Sequence, residues 1–227
     1  MIPTANTVLR YNQYYDMQDT FDELYARSKA NATGVDLYGI ITSKNNILLA
    51  YRNIKNNTGS KTKGTDGLTI EDYKMIDEDS FINGIRETLN SYLPQTVRRT
   101  FIKKENGKQR PLGIPTMRDR LIQQMFKQVL EPIVEAKFHR HSYGFRPNRS
   151  THHAMARCAF LINRANLNYV VDLDIESFFD EVNHSSLLSQ LYMIGIKDRR
   201  VLTIISKMLK APIEGEGIPT RGTPQGG

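Results

Sequence analysis

The sequence predicts a helix-rich α+β fold, and three observations carry that expectation. Apolar residues recur at helical spacing along most of the chain. A single Asn-Gly hairpin signal, at Asn106-Gly107, lies between two short strand-like runs. One β-branched run, 169–175, stands apart from that hairpin with helical patterns on both sides. That order differs from regular β-α-β alternation.

Taken in order, residues 1–20 are polar and rich in tyrosine, and are expected to be loosely held. Phe21, Leu24 and Tyr25 give helical spacing over 21–30. Ser43 suits the N-cap of a helix over 44–55, with Ile47, Leu48 and Tyr51 on one face. Asn, Gly, Ser, Thr and Lys make 56–67 a loop by composition. A helix returns over 81–92, and Pro94 stops it. Residues 97–103 and 108–114 read as two strands joined at Glu105-Asn106-Gly107. A long helix is expected over 118–139, with Leu121, Ile122, Met125, Val129, Ile133 and Val134 as its apolar stripe. Pro132 should kink or interrupt it. Residues 141–148 are irregular, and Ser150 suits the cap of a helix reaching Arg164. Residues 169–175 read as a strand. Two helices follow, over 185–194 and 198–210, before a Gly- and Pro-rich tail at 212–227.

The 227 residues are 39% hydrophobic and 24% charged, too apolar for a disordered chain. No run has the 18 or more apolar residues that a membrane span needs, so no membrane partner is expected. Residues 1–10 have no apolar leader core. The single cysteine, Cys158, rules out an intrachain disulfide and reads as a core residue. These features fit the bacterial cytoplasm or an organelle interior rather than secretion.

The net charge is +7, which favours a polyanionic partner. From Arg98 to Arg120 there are eight basic residues against two acidic ones. Residues 52–64 add Arg52, Lys55, Lys61 and Lys63 with no acid. Both stretches carry turn residues, so backbone as well as side chains could face phosphate.

The sharpest chemistry lies in Asp172-Leu173-Asp174-Ile175-Glu176-Ser177-Phe178-Phe179-Asp180. Asp172 and Asp174 are two apart, hence on one face of a strand. Carboxylates on an apolar strand are costly to bury unless paired or bound to metal. Oxygen ligands of this kind suit Mg²⁺. An EF-hand is excluded, because Phe179 stands where its loop needs glycine. The alternative is that Asp174 or Asp180 only caps a turn.

That segment resembles the first palm motif of reverse transcriptases of the group II intron-encoded kind. Further blocks match in the same order. Arg110-Pro111-Leu112-Gly113-Ile114-Pro115-Thr116, followed by Asp119-Arg120-Leu121-Ile122-Gln123, resembles the first fingers motif. Ser142-Tyr143-Gly144-Phe145-Arg146-Pro147-Asn148-Arg149-Ser150 resembles the second. Gly222-Thr223-Pro224-Gln225-Gly226-Gly227 resembles the palm motif beneath the incoming nucleotide, and 46–66 resembles the N-terminal extension. The resemblance spans 35–227 and implies a right-hand polymerase fold, fingers plus an incomplete palm. It divides the chain into 1–34, a helical or flexible region, 35–94, the N-terminal extension with an RNA-contacting loop, 95–168, the fingers, and 169–227, a partial palm.

The resemblance also implies roles. Asp174 would be the catalytic metal-binding aspartate, and the Ile175 carbonyl a second ligand of the two Mg²⁺ ions that nucleotidyl transfer uses. Phe179 would be the steric gate that selects deoxynucleotides. Arg98 and Lys104 would grip the dNTP triphosphate, with Gln225 near the nucleotide. Lys55, Lys61, Lys63, Lys103, Lys108, Arg110, Arg146 and Arg149 are the candidate RNA contacts. For Arg110, Arg146 and Arg149, bracing the fingers from within is an equal alternative. The histidines, four of them within 139–153, read as template contacts or surface residues rather than zinc ligands.

The partners implied are a group II intron RNA, an RNA template with a DNA primer, and dNTP. Two alternatives stay open: an RNA-binding module that keeps only the fold, or a retron or diversity-generating type of reverse transcriptase. The family's second catalytic motif, Tyr/Phe-x-Asp-Asp, does not occur in this sequence. A palm cut short would expose apolar surface, which allows a homodimer. The isolated 227-residue chain is therefore expected not to extend a primer. Deoxynucleotide incorporation by the purified chain on a primed RNA template would refute this.

Overall fold

The computed structural model describes residues 5–74, 77–103, 107 and 109–223. Ten helices and one hairpin are formed among them. No helix among the described residues is long and apolar enough to cross a membrane.

Helix α6, Met117–Glu135, is the centre of packing. Its N-cap Thr116 accepts the Asp119 N–H, and Leu121, Ile122, Met125, Phe126, Val129 and Ile133 are buried. Each such side chain contributes about 1.5–3 kcal/mol on burial. Pro132 lies in the last turn, so the helix runs through it to Glu135 instead of breaking. Against α6 pack α2, Gln18–Lys29, through Phe21 and Leu24, and α4, Lys44–Lys55, through Ile47, Leu48 and Leu49. The short α3, Leu37–Ile41, α5, Glu78–Asn90, and α10, Arg199–Leu209, close the same core.

Polar groups fix the register of α4 on α6. Fully buried Asn46 donates to the carbonyls of Ile41 at 2.8 Å and Met125 at 3.2 Å. Gln128 returns two bonds to Asn46, at 2.6 Å to its side-chain oxygen and 2.8 Å to its carbonyl. Every group here is paired, so burial is tolerated and sliding by one residue is not.

Strands β1, Arg98–Lys103, and β2, Gln109–Ile114, pair antiparallel in the register Arg98↔Ile114 to Lys103↔Gln109. The turn residues Glu105 and Asn106, with Lys104 and Lys108, lie outside the described residues. The hairpin base is tied to the 212–217 segment. The Val97 N–H donates to the Pro212 carbonyl and Glu214 N–H to the Val97 carbonyl, at 2.7 and 2.9 Å. Arg99 grips Glu216 with two bonds, at 2.6 and 2.5 Å. The guanidinium holds the Glu216 carboxyl below its ordinary value.

Three expectations need correction. Residues 5–20 are ordered: α1, Ala5–Tyr14, packs Tyr11 against the core, and Met17 is buried. Of its tyrosines, Tyr11 and Tyr15 pack against the core, while Tyr14 is exposed. Residues 169–175 form no strand. They are exposed and outside regular structure, since no described segment supplies the neighbouring ladder that a strand requires. Cys158 is exposed, not core, because α7, Thr151–Asn163, buries none of its residues among those described. The expected cap holds there, with the Ser150 side chain accepting from His153.

One buried acid joins these parts. Asp119 is 2% exposed. It accepts from the Tyr92 hydroxyl at 3.0 Å, the Gln95 N–H at 2.9 Å and the Thr116 hydroxyl at 2.9 Å. Burial, with the Asp119 charge beside it, pushes the Tyr92 phenol up. Replacing Asp119 by Ala strands all three donors and should destabilise the fold by about 3 kcal/mol. The urea midpoint should fall accordingly, and Tyr92→Phe should cost only about 1 kcal/mol in the same assay.

Candidate functional site

Of the expected metal and nucleotide residues, Asp174, Ile175 and Phe179 lie where α7 leads through 164–177 to α8, Phe178–Glu181. Ser177, just before this short helix, takes a left-handed conformation (φ 51°). Asp172, Asp174 and Ile175 are exposed ahead of it, and Phe178 and Phe179 on the helical side. The two rings meet edge to face at 5.5 Å.

The start of the Gly222 block closes onto this helix. The Thr223 N–H donates to the Phe179 carbonyl and the Gly222 N–H to the Val182 carbonyl, both at 2.8 Å. Gly222 has φ +80°, and a Cβ there would lie 2.7 Å from the Asp180 carbonyl oxygen. Only glycine meets both conditions. Arg221 pairs with Glu181 at 2.9 Å across the same junction. Thus Phe179 and residues 222–223 are brought together, while Gln225 lies outside the described residues.

Sequence reading missed His184. It is the first residue of α9, His184–Met193, and is 5% exposed. Its Nε2 lies 2.7 Å from the Gly222 carbonyl, which can only accept, so the proton is assigned to Nε2. Among the described residues, its buried Nδ1 has no hydrogen-bond partner. A histidine just after the Asp180-Glu181-Val182-Asn183 turn carries no periodic signal that separates a buried brace from a surface ring.

Among the described residues, no three His, Cys, Asp or Glu side chains converge on a metal position. Asp174 and the Ile175 carbonyl have the oxygen chemistry of Mg²⁺ ligands, yet alone they do not complete a site.

The basic residues divide into exposed and committed groups. Lys55, at the end of α4, is exposed with its ammonium 5.9 Å from the Tyr51 ring centre. Lys61 and Lys63 are exposed on and after the 3₁₀ turn Thr58–Lys61. Lys103 and Arg110 are exposed near the open end of the hairpin. Arg98 is half-buried at its base, and its buried Nε has no hydrogen-bond partner among the described residues. Lys104 and Lys108 lie outside the described residues.

Arg146 is a brace rather than a free cation. It is 9% exposed and forks onto Glu135, while its Nη1 donates to the carbonyls of His139 at 2.8 Å and Ser142 at 2.7 Å. Four of its five N–H donors are thus directed to protein acceptors. Arg149, by contrast, is exposed, 5.9 Å from the Tyr143 ring. His139 and His141 stack edge to face at 5.4 Å beside it. Burial, together with Arg157, Arg140, His139 and Arg149, pulls His141 below its ordinary value, so its ring favours the neutral form. Phe145 is fully exposed at φ 55°, an unusual conformation for a bulky residue. Flat rings among cations are the surface chemistry that unpaired bases stack upon.

Comparison with known proteins places the chain in a family. Residues 102–227 match the family model described as reverse transcriptase (RNA-dependent DNA polymerase). Protein YkfC of Escherichia coli is 36% identical over 201 residues, covering 84% of this chain and 52% of that protein. Group II intron-encoded protein LtrA of Lactococcus lactis is 35% identical over 236 residues, covering 100% of this chain and 36% of its own length. A 91 kDa protein in the cob intron of Schizosaccharomyces pombe is 33% identical over 212 residues, covering 90% of this chain and 26% of that protein. The chain thus spans about half the length of YkfC and about a third of LtrA. With more than half of its residues matched and its motif blocks in order, the chain belongs to the reverse transcriptase family, among the group II intron-encoded proteins.

Proposed function

We propose that this chain is the fingers and partial palm of an RNA-directed DNA polymerase that also holds a group II intron RNA and assists its splicing and mobility. The observation that carries the reading is the closure of residues 222–223 onto the Phe179 helix through two backbone hydrogen bonds. It sets an exposed flat ring beside the segment that leads to Gln225. A ring fixed by backbone contacts can exclude a ribose 2′-hydroxyl by shape alone and so favour dNTP. Asp174 and the Ile175 carbonyl would supply oxygen ligands to Mg²⁺, which provides charge stabilisation in phosphoryl transfer. Arg98 and Lys104 would meet the triphosphate, and Gln225 the base pair.

The RNA surface in this reading comprises Lys55, Lys61 and Lys63 on the N-terminal side, Lys103, Lys108 and Arg110 on the hairpin, and Arg149 in the aromatic corner. Arg146 is left out of it because its guanidinium is committed to Glu135. The divisions at 34, 94 and 168, residence in the bacterial cytoplasm or an organelle, and pairing of two copies through the exposed 169–179 stretch belong to the same proposal.

Reversing charge at Lys61 and Lys63 together should weaken binding to a fluorescein-labelled RNA hairpin. The plot of log affinity against log salt should become shallower by about 0.9 for each duplex phosphate that the lysines no longer neutralise. Arg146→Gln should leave that slope unchanged while lowering the urea midpoint, since Glu135 is left without its partner. Wild-type affinity and slope in the Lys61/Lys63 variant would overturn the assignment of this loop.

A further inference from the structure

We propose that Arg120 is the positioning residue for the basic loop 56–64. The proposal rests on the RNA-binding reading above and extends it to a residue that touches no RNA. Arg120 lies in the first turn of α6 and is half-buried. Its guanidinium and Nε donate to three carbonyls: Pro115 at 3.0 Å, Gly59 at 2.9 Å, and Thr62 by a short contact. Gly59 and Thr62 bracket Ser60 and Lys61. A single planar fork therefore pins both ends of the turn that presents Lys61, and the residue just before Lys63.

Other contacts act on the same loop. Ser60 is buried beneath it. Gly64 packs so closely on the residue preceding α6 that a Cβ would lie 2.7 Å from the Thr116 Cα. Thr65 donates to the Thr96 carbonyl at 2.7 Å, joining the loop's exit to the hairpin base. The loop is thus held against the N-terminus of α6, with Lys61 and Lys63 facing solvent. Lysines on a fixed backbone meet phosphates without the ordering cost that a mobile loop would incur. An arginine fork fits three carbonyls, whereas an ammonium group has no planar geometry with which to span them.

Arg120→Lys keeps the charge and removes the fork. Binding to the fluorescein-labelled RNA hairpin should weaken about tenfold, the effect of roughly one residue's ordering. The salt slope should stay at the wild-type value, because every phosphate keeps its cation. Trypsin should cut after Lys61 and Lys63 at least several-fold faster in the folded variant. Gly64→Ala, which displaces the loop from its other side, should reproduce both effects. Unchanged trypsin rates would overturn the proposal, as would a salt slope that falls with affinity, which would make Arg120 itself a phosphate ligand. If the wild-type chain fails to bind the hairpin, the RNA-binding reading fails, while the trypsin rates still decide whether Arg120 holds the loop.

Discussion

The Asp119 carboxylate lies out of reach of water, where a bare charge would cost several kcal/mol. It is stable there because three donors converge on it, and each comes from a different neighbourhood. Tyr92 closes the end of α5, Gln95 opens the link to the hairpin, and Thr116 caps α6. The N-terminal turn of α6 adds its own positive end to the same carboxylate. The acid thus fixes where the hairpin leaves the helical core. Everything that hangs from the hairpin base, including the 212–217 segment gripped by Arg99, inherits that position.

The same helix start organises the other functional edge. Arg120, one residue after Asp119, faces away from the core and holds the basic loop. Adjacent residues on one turn therefore serve different surfaces, the acid inward to the hairpin and the base outward to the loop. The core beneath stays rigid because Asn46 and Gln128 lock α4 to α6. The two proposed RNA surfaces are set by one rigid body.

Periodicity made most helices legible. The caps Ser43 and Ser150 and the bounds of 44–55 agree with the sequence because capping is a local interaction. The hairpin was legible for the same reason, though its turn lies outside the described residues. Non-local facts were not. Whether Cys158 is buried depends on what covers α7, and whether 169–175 becomes a strand depends on a neighbour; neither is written in the segment itself. The ordering of residues 5–20 depends on Tyr11 and Met17 finding a distant core. At the site, motif order singled out Asp174 and Phe179 as candidates, but the split between Arg146 as brace and Arg149 as exposed cation needed the position of Glu135. His184 was invisible because a buried imidazole and a surface one have the same local sequence context.

The fit of Gly222 against the Asp180 carbonyl has a mechanical meaning. With no side chain between them, and with bonds on both sides of the contact, helix α8 and the 222–223 segment have no slack. They must translate together. In the proposed reading, where the Phe179 ring sorts sugars by shape, the gap between ring and segment would be the gauge that does the measuring. Tying both jaws to one piece of backbone makes that gauge insensitive to breathing elsewhere in the chain, including the exposed stretch that runs into it.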